Sequence, residues 1–503
     1  MNNVKVIYGP PGTGKTTTLL NIVEKYLANG TNPETIGYFS FTRKAANEAS
    51  KRAAKKFNLT EDDIPYVGRT LHSMAYEHLS LSKEQVFKDK HLKQLGDLIG
   101  FNLGVTTQMS RENEILLSTN NEIMKHIDLH RARMMDLKKH WNMYAVDIDW
   151  LTVKHVYQCY VDYKKHHKPA LLDFTDMIYK FIEHEKCPNF NLLCIDEAQD
   201  LSLLQHKMLN KLITNSKKVF LAGDDDQAIF GWAGADVESF NNLAKNFSIL
   251  KQSYRVPKEI HKLACQITDR IKHRQEKTWY PTKETGKITY HRNTSSLVFD
   301  EGQWLVLART NYLLDEIEDQ LRESGIYYER KGHKGVKKSV LEAVYAWEDL
   351  RKGEQLSCAE IKDVYQFLKI NSGVKYGYKG LKKADEETKY SIEDLKKNFG
   401  LLRNDIWHDA LELIEPEDRV YLRSCRRKGE KLKAKPRVNL ETIHGSKGGE
   451  CQNVVIMTDL PTKADDEYIH NPDDECRVFY TGVTRAKEHL HIITPQTDRY
   501  FNL

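Results

Sequence analysis

Several features that would mark a covalently stapled, metal-clustered or membrane-embedded fold are missing from this 503-residue sequence. Its eight cysteines are scattered and form no CxxC pair. That argues against a zinc or iron–sulfur centre and against a disulfide framework, and it fits a reducing compartment. No apolar run approaches the roughly 20 residues needed to span a bilayer. The opening MNNVKVIYGPPG runs from a short apolar stretch straight into glycines, which is not a signal-peptide pattern. Charge of one sign is scarce too, with a formal net charge of +5. Composition therefore does not announce a polyanion partner, and any basic surface must come from local clustering. No internal repeat is evident. The length exceeds what one core supports and suggests about three or four domains. The expectation is a multidomain protein with no membrane contact, in the cytoplasm, or in a host's cytoplasm if the source is viral.

What is present begins at residue 4. VKVIY (4–8) reads as a buried strand, and GPPGTGKT follows as Gly9, Pro10, Pro11, Gly12, Thr13, Gly14, Lys15 and Thr16. The pattern GxxxxGK[ST] between a strand and a helix is the P-loop. Apolar residues at 19, 20, 23, 26 and 27 supply the helical spacing, and Asn29-Gly30 ends it. Glycines let the backbone N–H groups and the helix N-terminus face phosphate oxygens. Lys15 is expected to reach the β- and γ-phosphates and Thr16 to bind Mg²⁺. A second buried run, NLLCI (191–195), ends in Asp196-Glu197-Ala198-Gln199-Asp200. An acid at that strand end is the expected second Mg²⁺ contact, Asp196, and the adjacent Glu197 is the expected general base.

Kinases, GTPases and motors all share a P-loop, so the work done must be read elsewhere. FTRKAANEA (41–49), GRTLHSMAY (68–76), LLDFTDMI (171–178), GDDDQAIFGWAGAD (223–236), LKQSYRVP (250–257), TIHGSKGGE (442–450) and YTGVTRAKEHLHII (480–493) follow the P-loop in order. With DEAQD, this ordered set resembles the UvrD/Rep-type superfamily 1 DNA helicases. The resemblance implies an α/β fold of two RecA-like lobes, each a mostly parallel sheet flanked by helices and interrupted by a mainly helical or mixed insertion, with ATP in the cleft between them. It implies that Arg255 and Arg485 reach the γ-phosphate as arginine fingers when the cleft closes. Tyr254 matches the residue that stacks on adenine, and Glu450 one near the ribose.

GDDDQAIFGWAGAD joins two chemistries. Three aspartates and a glutamine suit a metal or phosphate site, whereas two large aromatics among small residues suit a flat, apolar partner. Gln227 is expected to sense the γ-phosphate. Phe230 and Trp232 are expected to reach the surface and stack on bases, each stack being worth roughly 1–3 kcal/mol whatever the sequence. Phe41, Thr42 and His72 are read as single-strand contacts by resemblance, with burial at the end of TIGYFSF as the other reading of Phe41.

Some positions depart from the family pattern. Only eight residues precede Gly9 and none is Gln, and Thr17 stands where arginine often follows the P-loop. Adenine recognition would then rest on Tyr254, so looser nucleotide choice is expected. Ala233 replaces an arginine common in the family, and Gly449 a leucine, which should loosen packing at that turn.

The expected division is a first lobe over 1–76 and 166–250, its helical insertion over 77–165, a second lobe over 251–330 and 437–503, and its insertion over 331–436. The second insertion is expected to be shorter than is usual in the family, and the nuclease domain of some relatives is not expected. RSCRRKGEKLKAKPR (423–437) holds eight Lys or Arg against one Glu. It reads either as a phosphate-contacting arm or as a solvated loop. The favoured function is an ATP- and Mg²⁺-dependent DNA helicase acting on single strands and single/double-strand junctions, 3′→5′ by resemblance, with no protein partner specified. The alternatives are a translocase with little unwinding and a nucleotide-gated DNA-binding module.

Overall fold

The computed structural model describes residues 3–41, 46–47, 50–51, 54–55, 65–104, 121–144, 148–299, 301–382 and 384–503. Two six-stranded parallel sheets organise them. The first is built from β1 (Val4–Tyr8), β2 (Ile36–Ser40), β3 (Val67–Arg69), β4 (Phe190–Asp196), β5 (Ser216–Gly223) and β6 (Phe247–Ile249), in the order β3-β2-β4-β5-β1-β6. β2 is buried along its whole length, as parallel strands covered by helices on both faces must be. Register then decides where the chemistry goes. Tyr8 lies beside Gly223, Ile195 beside Leu221 and Ser40 beside Asp196, so the P-loop, DEAQD and GDDDQ all leave the same edge of the sheet.

The second sheet contains β7 (Lys287–His291), β8 (Trp304–Ala308), β9 (Tyr328–Arg330), β12 (Val438–Thr442), β13 (Cys451–Met457) and β14 (Ala486–Ile493), in the order β7-β14-β13-β8-β12-β9. Among the described residues between β9 and β12 lie five helices and a short antiparallel ribbon, β10 (Leu356–Ser357) with β11 (Lys389–Tyr390). Their core joins that of the second sheet through Trp347, Tyr365 and Trp407, and Trp347 Nε1 donates to the Asp405 carbonyl at 2.9 Å. The basic run 423–437 spans the end of helix Pro416–Arg427 and the loop after it. Within it Lys433 pairs with Asp349 and Arg437 with Glu430, while Lys428, Lys431 and Lys435 line an open cleft of about 890 Å³. Among the described residues no helix is long and apolar enough to cross a membrane.

Between α-helical residues 89 and 166 the chain builds a separate core from Leu92, Leu95, Ile127, Val153, Val156 and Tyr160. A buried ionic cluster ties it to the first sheet's helices. Arg131 donates to Asp173 (2.7 Å) and Asp176 (2.5 Å), and Lys164 contacts both acids. Asp173 also caps the helix Phe174–Glu183, so the LLDFTDMI stretch serves as the docking point of the insertion.

Asp128 sits beside this cluster without joining it. The residue is only half-buried, yet both carboxylate oxygens are out of solvent and have no hydrogen-bond partner among the described residues. Burial, reinforced by Asp173 and Asp176 and opposed by Arg131 and Lys164, pushes its carboxyl up to about 7. A folded-state value above the unfolded value means that the native state binds the extra proton. That stability is present at low pH and is lost as pH rises from about 4 to about 7. Asp128→Asn should therefore match the natural protein only below about pH 4, melt slightly higher at pH 5 and reach its full advantage above pH 7. The relative gain is at most ~4 kcal/mol, from 1.36 kcal/mol for each pH unit of displacement. Melting curves at pH 5 and pH 8 check this, and an equal offset at both values would exclude a charged Asp128 as the cause.

Candidate nucleotide site and nucleic-acid interface

Gly12 (φ +71°) and Gly14 (φ +82°) take left-handed conformations that bend the P-loop, and Gly14 caps the helix Lys15–Ala28. Gly12 also has no room for a side chain, because a Cβ would lie 2.3 Å from Arg255 Cβ. Thr13 Oγ1 donates to the Pro10 carbonyl at 2.8 Å and Lys15 Nζ to the Gly9 carbonyl at 2.7 Å. The loop is thus shaped by its own contacts, with the Lys15 ammonium over it.

Thr16 and Asp196 meet directly, Thr16 Oγ1 donating to Asp196 Oδ2 at 2.6 Å, and the Tyr38 hydroxyl donates to the same oxygen at 2.9 Å. Burial and the adjacent Glu197 raise the Asp196 carboxyl, against hydrogen bonds from Thr16 and Tyr38 and the charge of Lys15. Glu197 lies in the left-handed region at φ +53°, a strained position for a non-glycine residue. Burial would raise its carboxyl, but Lys15, Lys447, the Gln199 amide and Arg485 outweigh burial and hold it down at about 2. Gln199 organises the next step. Its Nε2 donates to Glu197 at 2.7 Å and Asp200 at 3.0 Å, while its Oε1 accepts from the Asp224 N–H at 3.0 Å.

From the other sheet, Arg485 is buried and donates to the Thr481 carbonyl (2.9 Å), the Gly449 carbonyl (3.1 Å) and Gln227 Oε1 (2.8 Å). The Gln227 Nε2 donates to Asp224 Oδ2 at 2.6 Å. Lys447, in the TIHGSKGGE turn, crosses the same boundary to Asp200 (2.7 and 2.5 Å) and to the Gln227 carbonyl (2.7 Å). Arg255 Nε donates to Glu450 at 2.7 Å, and Lys487 approaches the other Glu450 oxygen at 3.1 Å. Ser253 Oγ donates to the Pro11 carbonyl and the Tyr254 N–H to the Gly12 carbonyl, so this segment lies on the P-loop while the Tyr254 ring is 77% exposed. Glu197, Gln227, Arg485, Thr16, Asp196 and Lys15 therefore converge. Arg255, Glu450 and Tyr254 form the rim.

Two expectations about GDDDQAIFGWAGAD are corrected. The three aspartates approach one another as a metal site would require, one oxygen of each within 4.8 Å of the others, but the Lys277 ammonium contacts all three. Phe230 does not reach the surface. It is buried against Phe41 (ring centroids 5.4 Å), with the Lys447 ammonium 5.0 Å over its ring, because a ring among buried apolar neighbours gains more by staying in the core. Trp232 is 46% exposed and has an open ring beside His444. Phe41 is buried, as the other reading of that residue had it, and His72 is buried against Phe174 with its ring pushed down to about 4 by burial, against Asp173. Thr42 lies outside the described residues. Sequence reasoning gave no role to Lys447, Gln199, Lys277 or Arg274. For Lys447 a signal existed, since it stands in a quoted motif between glycines; for Lys277 and Arg274 there was none.

A P-loop on one parallel sheet, met by a buried arginine and a partly buried lysine from a second parallel sheet, defines a two-lobed P-loop protein whose site is completed across the lobe boundary. Residues 1–248 match the UvrD/REP helicase N-terminal domain and residues 353–497 the UvrD-like helicase C-terminal domain. The chain belongs to the UvrD/Rep helicase family. It is 23% identical to a probable DNA helicase of Mycoplasma pneumoniae over 99% of this chain and 82% of that protein. It is 25% identical to the ATP-dependent DNA helicase PcrA of Bacillus subtilis over 72% of this chain and 50% of that protein. With the ATP-dependent DNA helicase Rep of Buchnera aphidicola it shares 25% identity over 73% of this chain and 60% of that protein. The chain thus spans about half to four-fifths of these relatives.

Proposed function

We propose that this protein is an ATP-dependent DNA helicase that moves 3′→5′ along single strands, engages single/double-strand junctions and works in the cytoplasm. The observation that carries the reading is the 2.8 Å hydrogen bond from Arg485 to Gln227, which joins the second lobe to the loop beside the P-loop. A site assembled from two lobes can couple nucleotide state to lobe closure, and closure to the grip on a strand. In this reading the first lobe comprises 1–76 and 166–250 with its insertion over 77–165. The second comprises 251–330 and 437–503 with its insertion over 331–436. The P-loop residues Gly9 to Thr16 cradle the triphosphate, Tyr254 stacks on the base and Glu450 lies near the ribose. The oxygen donors of Thr16 and Asp196 suit Mg²⁺, a hard cation that would offset phosphate charge. Glu197 orients and deprotonates water, and Gln227, Arg255 and Arg485 act at the γ-phosphate. Trp232 is the stacking platform and Thr42 is a strand contact on the family resemblance alone, while the buried Phe41, His72 and Phe230 pack inside the first lobe.

Strand displacement tests this, on matched duplexes carrying a 3′ tail, a 5′ tail or none, with Lys15→Ala as the blank. Only the 3′-tailed duplex should separate, with ATP and GTP both serving if Tyr254 alone reads the base. Hydrolysis stimulated by single strands without separation of any duplex would replace the helicase reading with that of a translocase. The short second insertion favours that alternative.

A further inference from the structure

Asp224, Asp225 and Asp226 are fully buried and run straight into Gln227. Three successive buried carboxylates need close compensation, since an uncompensated buried charge is strongly destabilising. The compensation comes from one segment of the other half of the chain. Lys277 Nζ lies 3.1 Å from Asp224 and 2.9 Å from Asp226 and also contacts Asp225, with its side chain only 1% exposed. Arg274 grips Asp226 with two hydrogen bonds of 2.8 and 2.6 Å, and the Gln275 N–H donates to Asp225 at 2.6 Å. Arg477 holds this segment to the second lobe, donating to the His273 carbonyl at 2.7 Å and to the Asp225 carbonyl at 3.1 Å.

Asp224 divides its oxygens. Oδ1 faces Lys277, and Oδ2 accepts from Gln227 Nε2 at 2.6 Å. An amide donates only through nitrogen and accepts only through oxygen. Anchoring Nε2 on Asp224 therefore turns Gln227 Oε1 toward Arg485. We propose that Lys277 is a positioning residue for nucleotide hydrolysis, fixing through Asp224 the direction in which the Gln227 amide faces and hence its contact with Arg485. The inference rests on the roles proposed above for Gln227 and Arg485.

Lys277→Met alone would leave three buried carboxylates against Arg274 and risks unfolding the chain. The informative variant combines Lys277→Met with Asp225→Asn. Two carboxylates and one cation then remain, the same net charge as three carboxylates and two cations, and Asp225→Asn alone is the reference. The readouts are kcat and KM for ATP with saturating oligothymidine, together with melting temperature. Relative to the reference, kcat should fall about 10- to 100-fold, the scale of a misplaced catalytic group, with KM nearly unchanged. In a Gln227→Ala background Lys277→Met should cause no further loss, because Lys277 acts only through Gln227. An unchanged kcat, a change confined to melting temperature, or losses that multiply when Gln227→Ala is added would each overturn the positioning role. If Gln227→Ala by itself leaves kcat untouched, the proposed site fails, which is a separate result from a failure of Lys277.

Discussion

Glu197→Gln is expected to lower kcat of DNA-stimulated ATP hydrolysis by about 10²–10⁴-fold, the range for loss of a general base, while nucleotide binding persists. The substitution nearly preserves shape. Gln199 Nε2 donates to one Glu197 oxygen at 2.7 Å, and a glutamine oxygen can accept the same bond. What disappears is the negative charge that faces Lys15, Lys447 and Arg485. In the structure those cations hold the carboxyl at about 2, too acidic to take a proton readily. Lys15, however, rests on the Gly9 carbonyl and is free to exchange that bond for a phosphate oxygen. With the Lys15 charge spent on a triphosphate, the carboxylate would regain basicity at the place proposed for the attacking water. Steady-state hydrolysis with and without oligothymidine, alongside titration of a fluorescent ATP analogue, separates the chemical step from binding. A kcat within a few-fold of the natural protein would remove Glu197 from the role of base.

How much of this was readable in advance depended on sequence distance. The P-loop was legible because glycine spacing, the preceding strand and the following helical period lie within residues 4–28. DEAQD was legible because a buried run ends in acids, and strand register then places Asp196 next to the P-loop, where Thr16 bonds it. The parallel-sheet class followed from the family resemblance that the ordered motifs carry. Hidden were contacts that only the three-dimensional path makes. Lys277 and Arg274 lie some fifty residues beyond the aspartates they neutralise, in the stretch RIKHRQEK, which belongs to no motif. The GDDDQ run consequently looked like a cation site when it already had its cation. Phe230 was misplaced for a related reason. Spacing along a loop does not say which of two aromatics finds a buried neighbour, and Phe41, far away in sequence, decides it.

At Arg485 the second large effect is expected, a fall in kcat of about 10³-fold or more on substitution by alanine, the scale of an arginine finger. Arg255 offers the contrast. Its partner Glu450 is 42% exposed at the side chain, so the pair adds only about 0–1 kcal/mol to stability. Arg255→Ala should therefore slow hydrolysis with little change in melting temperature. Arg485 is 1% exposed and spans Thr481, Gly449 and Gln227, so its loss leaves acceptors without their donor and should cost about 1–3 kcal/mol. Lysine is no substitute, since a single ammonium on a flexible stem lacks the planar fork that reaches all three acceptors. Burial, together with the like charge of Arg255, pushes the Arg485 guanidinium down to about 9, with Glu197 opposing. A cation so poorly compensated, yet still charged at neutral pH, would be stabilised by any added negative charge in the cleft, and a γ-phosphate supplies that charge. Nucleotide should accordingly raise the melting temperature of the natural protein more than that of Arg485→Ala. Equal stabilisation of the two by ATP, or a near-natural kcat in Arg485→Ala, would place the guanidinium in lobe packing rather than at the phosphate.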